Sequence, residues 1–336
     1  MQKKIGITST VPSEVIFAAG AVPVDLNNIF VNFHGEGAVK SPLDLIRIAE
    51  ENGLPRNTCS WIKGIFGALA QNPDIREVVV VMRGDCSNVV ALSDVLKHKN
   101  YQIIPFSYPA LKDGYLLSGE IKRFMQKLGA RQKKVELYKK ELDRIRAKLF
   151  LLDELTWREN KVTGAENHFF LVSSSDFMSD PVVFEKKVDE FLSAVAARPP
   201  FSKAVRLGYV GVPPIVLDLY VTLEKLGARV VFNEVQAQFA MLERTDDIVE
   251  QYLMYTYPYD VFGRIVDIKE EIEKRGIQGI IHYVQSFCHH QIEDVILQKE
   301  MPVPVLTLEC DRPGNLDLQN QLRLEAFVDL LKQKAR

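Results

Sequence analysis

The sequence predicts a parallel α/β protein made of two similar domains, and three observations predict it. Strand, turn and helix signals alternate along all 336 residues, the order that builds parallel sheets with crossover helices. Residues 77–106 (EVVVVMRGDCSNVV…) and 279–308 (GIIHYVQSFCHHQI…) each read strand, polar loop carrying a cysteine, helix, strand. A second pair, 3–27 (KKIGITSTVPSEV…) and 204–234 (AVRLGYVGVPPIV…), each reads strand, proline-closed loop, helix, small-residue turn, strand, without a cysteine. Such pairing is the pattern an internal duplication leaves.

Taken in order, the chain opens on a strand ending near Ser9 and Thr10, and proline is expected in the first turn of the following helix. Its missing N–H has no intrahelical partner to lose there. Glu14 falls in that first turn, where the helix dipole favours an acid. The loop FHGEGA (33–38) offers His34 and Glu36 as a base beside a hydroxyl such as that of Ser9. Cys59, in LPRNTCSWIKGIFGAL, stands at a helix start after a proline turn, and Cys86 follows the VVVV strand by a short loop. Residues 118–160, rich in Lys, Arg, Glu and Leu at helical spacing, read as one or two long, partly solvated helices between the domains. The boundary is placed accordingly: 1–160 form an N-terminal α/β domain with its linking helices, and 161–336 a C-terminal one. RPPFSK (198–203) turns into the second domain's first central strand, Cys288 repeats the position of Cys86, and Cys310 ends the last strand.

Composition narrows the function. With 47% hydrophobic and 26% charged residues the chain can build two real cores. A net charge of −2 supplies no basic field, which argues against nucleic acid or an anionic membrane surface as a partner. No run approaches the ~20 apolar residues of a membrane span, and MQKKIGITST enters a strand at once, so the expected location is the cytoplasm. Four scattered cysteines without a CxxC do not make a disulfide framework. Neither a GxGxxG after a strand nor a GxxxxGK phosphate loop occurs.

In open parallel sheets the ligand site lies beyond the carboxyl ends of the strands, where backbone N–H groups point outward. Cys59, Cys86 and Cys288 all occupy such loop-to-helix junctions. A thiol at a helix start is expected to have a lowered pKa and to be ready as a thiolate, the form that binds iron or zinc. The competing reading makes each a small buried apolar residue. Cys310 is a candidate fourth ligand on the same ground. His289 and His290 diverge by about 100 degrees on a helix and cannot both face one metal, so they are read as supporting groups near Cys288.

Several of these segments, GITSTVPSEVIFAAGAVPVDL, CSWIKGIFGAL, NKVTGAENHFF, the stretch from Arg264 through FCHHQIED, and VPVLTLECDRPGNLDLQNQLRLEAFVDLL, resemble the 2-hydroxyacyl-CoA dehydratase family. That family includes 2-hydroxyglutaryl-CoA dehydratase and benzoyl-CoA reductase subunits and double-cubane cluster proteins. The resemblance implies two flavodoxin-like domains and a 4Fe–4S cluster held by Cys59, Cys86 and Cys288, with one iron open. It further implies radical elimination of water from a 2-hydroxyacyl-CoA thioester. The partners it implies are a paralogous subunit and a separate ATP-hydrolysing iron–sulfur activator, which fits the missing phosphate loop. Two other readings are a homodimeric reductase of small molecules carrying a double-cubane 8Fe–9S cluster, and a non-catalytic electron-transfer subunit whose cluster is fully ligated. The enzyme is thus expected to be a lyase or a low-potential reductase. Two features depart from the family pattern: Ser87, not an aspartate, follows the second cysteine while Asp85 precedes it, and Cys310 stands where relatives usually lack a cysteine.

Overall fold

The computed structural model describes residues 2–31, 41–286 and 288–334. Two four-stranded sheets, all parallel, carry the fold. The first contains β1 (Lys3–Ile7), β2 (Ala21–Asp25), β3 (Glu77–Arg83) and β4 (Gln102–Ser107), in the order β2-β1-β3-β4. The second contains β5 (Val205–Gly211), β6 (Ala228–Asn233), β7 (Gly279–Val284) and β8 (Val305–Glu309), in the order β6-β5-β7-β8. Both orders are that of the first four strands of a flavodoxin-like sheet, with the direction of winding reversing between the two central strands. The matched pairs of segments therefore become matched βαβ units.

Burial explains why these stretches are strands. Val78–Val81 in β3 are buried on both faces, as an apolar run in the middle of a parallel sheet must be. β4 lies at a sheet edge and alternates, with Ile104 and Phe106 inward. The proline expectation holds only in part. Pro12 is the N-cap of the helix Ser13–Ala18, but Pro213 and Pro214 lie in a loop well before the helix Leu219–Lys225. That loop is longer than expected because Val216 makes a parallel bridge to Gly314.

The segment 118–160 forms the end of the helix Gly114–Leu128 and the 26-residue helix Gln132–Trp157. The second of these turns Leu142, Ile145, Leu149 and Leu152 into a core with Phe170, Phe177, Phe184 and Val188. Glu14 does more than meet a helix dipole. It is fully buried and paired with Arg146 Nη1 at 2.8 Å, and Tyr252 Oη donates to its other oxygen at 2.8 Å. One ion pair and one hydrogen bond, both to Glu14, thus tie the first helix to the long linking helix and to the helix Ile248–Leu253.

The helix Ser60–Ala70 is buried along nearly its whole length. It packs against Pro42–Glu51 so closely that a Cβ at Gly67 would stand 2.1 Å from the carbonyl oxygen of Leu45. Alanine has the better helix propensity by ~1 kcal/mol, yet the obstacle is backbone and cannot rotate away. Gly67→Ala is expected to cost about 1–3 kcal/mol through overpacking. A thermal melt showing unchanged or raised stability would contradict that packing.

Candidate functional site

The carboxyl ends of both sheets open on one cavity enclosing about 830 Å³, part of it open solvent. From the first sheet come Thr8, Ser9 and Thr10 after β1, Asp25 at the end of β2, and Asp85 and Cys86 after β3. The second sheet supplies Val212 and Pro213 after β5, Val235 after β6, and Gln285 and Cys288 after β7. Trp61, Ile62, Ile65, Val89, Val172 and Phe239 make the rest of the wall largely apolar. No lysine or arginine lines it among the described residues.

Three of the lining residues are Cys59, Cys86 and Cys288. Each is the N-cap of a separate helix, Ser60–Ala70, Ser87–His98 and His289–Glu300, and none caps its helix with its side chain. The thiols are therefore free to face the cavity, and all four cysteines of the chain are unbridged. Cys59 Sγ donates to Gln285 Oε1 at 3.3 Å, spanning from the first domain's helix to the end of β7. Ser60 Oγ donates to the carbonyl oxygen of Asp311, fastening the same helix start to the turn after β8.

The lowered thiol pKa expected at helix starts is not the net result. Burial pushes all three thiols up, Cys86 to about 12 with the neighbouring Asp85 adding to it. Backbone N–H groups pull the other way, from Trp61 and Ile62 for Cys59 and from His290 and Gln291 for Cys288. Desolvation outweighs them because the apolar wall keeps water from the charged form. Thiols so placed are protonated on their own and become thiolates when a cation replaces the proton.

Cys310 does not line the cavity. It is buried, accepts from Asn320 Nδ2 at 3.5 Å, and lies beside Tyr283. Ser9 is at the wall, whereas His34 and Glu36 lie outside the described residues. His289 lines the cavity. His290 is buried behind it with Nδ1 at 2.6 Å from Glu293 and 3.0 Å from Arg264. Burial, then the Arg264 charge, holds His290 well below its ordinary pKa.

Sequence reasoning missed a set of carboxyl groups. Asp85 Oδ1 accepts from the Cys86 N–H at 2.8 Å, and burial raises the Asp85 carboxyl to about 7 against hydrogen bonds from Cys86 and Ser9. Asp25 accepts from Ser175 Oγ at 2.5 Å, and its own N–H donates to Asp176 Oδ2 at 2.7 Å. Asn28 Nδ2 bridges to Ser175 Oγ at 2.9 Å and to Asp176 Oδ1 at 3.3 Å. Asp176 leads into Phe177, Met178 and Ser179, three successive residues with φ of 54°, 52° and 61°. Such left-handed backbone costs roughly 1–2 kcal/mol per residue, so the hydrogen bonds to Asp25 and of Ser179 Oγ to the Pro23 carbonyl at 3.0 Å hold a strained turn in place. A carboxylate at the end of a predicted strand, as in VPVDL, was the available signal for Asp25.

The match to known families decides the wider context. A family described as 2-hydroxyglutaryl-CoA dehydratase, D-component, matches residues 8–331. The chain belongs to that D-component family. No curated protein matches the chain. Membership makes it a dehydratase-type component of a multi-subunit system. Among the described residues no helix is long and apolar enough to cross a membrane, and no group of three or more His, Cys, Asp or Glu is arranged to hold a metal ion. The ligands of a cluster stand farther apart than those of a single ion, because each binds a different iron.

On donor chemistry the D-component cavity fits an iron–sulfur cluster. It brings three soft thiol donors to one cavity, with no fourth cysteine lining it. Buried polar atoms of Trp61 (Nε1), Asn28 (Oδ1) and His289 (Nδ1), all on lining residues, have no hydrogen-bond partner among the described residues. Unpaired polar atoms are rare in native interiors, and a group bound in the cavity is one thing that would satisfy these three.

Proposed function

We propose that this chain is the iron–sulfur subunit of an activator-dependent 2-hydroxyacyl-CoA dehydratase, with Cys59, Cys86 and Cys288 holding a 4Fe–4S cluster. The observation that carries the reading is that three cysteines, each capping a different helix and distant in sequence, line one cavity between two sheets. When bound, such a cluster supplies low-potential one-electron chemistry and an iron without a protein ligand. The chain's own residues do the rest. Ser9 and Asp85 present a hydroxyl and a carboxyl side by side to the polar group of a substrate. Trp61, Ile62, Ile65, Val89 and Phe239 exclude water from the acyl portion. A separate ATP-hydrolysing iron–sulfur activator is the electron donor, a paralogous subunit completes the complex, and the cytoplasm, which keeps thiols reduced, is the compartment.

The test is anaerobic purification with iron and sulfide analysis and low-temperature electron paramagnetic resonance. About four irons per chain are expected. Cys288→Ala should lose the iron and the signal while keeping the far-ultraviolet circular dichroism, since this half-buried thiol caps no N–H and packs no core. Cys310→Ala should keep the iron. An iron-free wild-type protein, or equal iron loss in both variants, would sink the assignment.

A further inference from the structure

A second opening adjoins the cavity at Cys59, which lines both. This groove encloses about 1260 Å³, part of it open solvent, and lies between the segment that precedes the helix Ser60–Ala70 and the turn after β8. Four cationic side chains, Arg47, Arg56, Lys63 and Arg312, line it against two carboxylates, Glu50 and Asp311. In a chain whose net charge is −2 this is a local excess of positive charge.

The cations differ in what they already hold. Lys63 Nζ is buried and bonded to Glu50 at 2.9 Å and to the Arg56 carbonyl at 2.8 Å. Arg47 pairs with Asp44 at 3.1 Å on its own helix. The guanidinium groups of Arg56 and Arg312 have no ion-pair or hydrogen-bond partner among the described residues. They belong to the first and second halves of the chain, so an anion in the groove meets one fork from each. Planar guanidinium forks suit phosphate oxygens, two bonds at a time.

We propose that this groove binds the phosphate-bearing end of the ligand whose acyl end enters the cavity, with Arg56 and Arg312 as the residues that recognise it. The inference rests on the dehydratase reading for the thioester, and on the groove alone for the anion. An apolar chamber joined at Cys59 to a cationic groove takes a molecule that is apolar at one end and polyanionic at the other. A coenzyme A thioester has that form, whereas a free nucleotide has only the anionic half.

Calorimetric titration of the full chain with coenzyme A, pantetheine and ADP tests this on the wild type, Arg56→Gln, Arg312→Gln and the double variant. Arg123→Gln, an exposed change elsewhere, is the control. A charge-assisted hydrogen bond is worth enough that each single variant should bind coenzyme A about tenfold more weakly, and the double variant weaker still. Pantetheine, which lacks the phosphates, should bind weakly and equally to all. Melting temperatures of the arginine variants should match the wild type, since neither group holds a partner to lose.

Coenzyme A binding unchanged in both single variants, or pantetheine binding as tightly as coenzyme A, would overturn the proposal. ADP binding as tightly as coenzyme A would reassign the groove to free nucleotides and overturn it likewise. Iron content is measured on the same samples, so the two readings fail separately. Arginine-dependent coenzyme A binding in an iron-free protein would remove the cluster and leave the groove. Arginine-independent binding in an iron-loaded protein would remove the groove and leave the cluster.

Discussion

Arg264→Met is expected to lower folding stability by about 3–5 kcal/mol, the cost of breaking a buried ion pair from one side. Arg264 and Glu234 are each 1% exposed and meet through two bonds, Nε to Oε1 at 2.9 Å and Nη2 to Oε2 at 3.0 Å. Arg264 Nη1 also donates to Glu293 at 2.9 Å. Methionine fills much of the volume but leaves the Glu234 carboxylate buried with, among the described residues, only the Gly211 N–H at 3.2 Å and Gln238 Nε2 at 3.1 Å. The penalty comes from that stranded charge more than from a lost attraction, so the double variant Arg264→Met, Glu234→Gln should recover part of the loss. Urea denaturation measures both. A single variant within ~1 kcal/mol of the wild type, or a double variant worse than the single, would contradict this account.

The same variant reports on the cavity. Glu293 and His290 lie on the helix His289–Glu300, which Cys288 caps. Arg264 is thus the tie between that helix and the helix Glu234–Ala240 beyond β6. On the proposed cluster reading, loosening it should speed the loss of iron from iron-loaded protein, read by chelator challenge at temperatures where the fold is intact.

Asp25→Asn is expected to raise stability at pH 8 and to do so less and less as the pH falls towards 4. Burial raises the Asp25 carboxyl, with Ser175 and Asn27 opposing, and burial together with the Asp25 charge pushes Asp176 up to about 7. An unfolded aspartate titrates near ~3.9. Between about pH 4 and 7 the native pair therefore keeps a proton that the unfolded chain gives up, so its contribution to stability is complete below about 4 and is lost as the pH rises through 7. Linkage sets the span at roughly 2–4 kcal/mol. Among the described residues, the groups that act on the pair are Asn27, Asn28, Ser175, the Met178 N–H and the nearby Asp85 carboxyl, and none of these is a cation that would reverse the sign. An amide at 25 removes the like-charge neighbour, and Asp176 should then titrate lower. Melting temperatures from pH 5 to 8 for wild type and variant decide it: parallel curves would mean that the Asp25 charge does not raise the Asp176 carboxyl.

Much of the fold was legible because parallel βαβ units announce themselves locally. The VVVV run, the GIIHYV run and the polar loops after them set β3, β7 and the helices that follow, and these elements stand where the periodicity placed them. The loop after β5 was misjudged, since Pro213 and Pro214 signal a helix start only until Val216 pairs with Gly314, a residue far along the chain. Asp176 could not be read at all. Its meaning comes from Asp25, which pairs with it across a separation of 151 residues.

The sequence by itself determined the architecture and the three junctions at which Cys59, Cys86 and Cys288 sit, because strand length, helix start and turn chemistry are properties of neighbouring residues. Only the tertiary structure decided what those thiols share. Two sheets had to bring their carboxyl ends to one cavity before three cysteines lined it together, while Cys310, just as promising by local position, was left buried outside it beside Tyr283. Burial, a property of the whole packed chain, then raised the thiols and carboxyls that local reasoning would have left ionised.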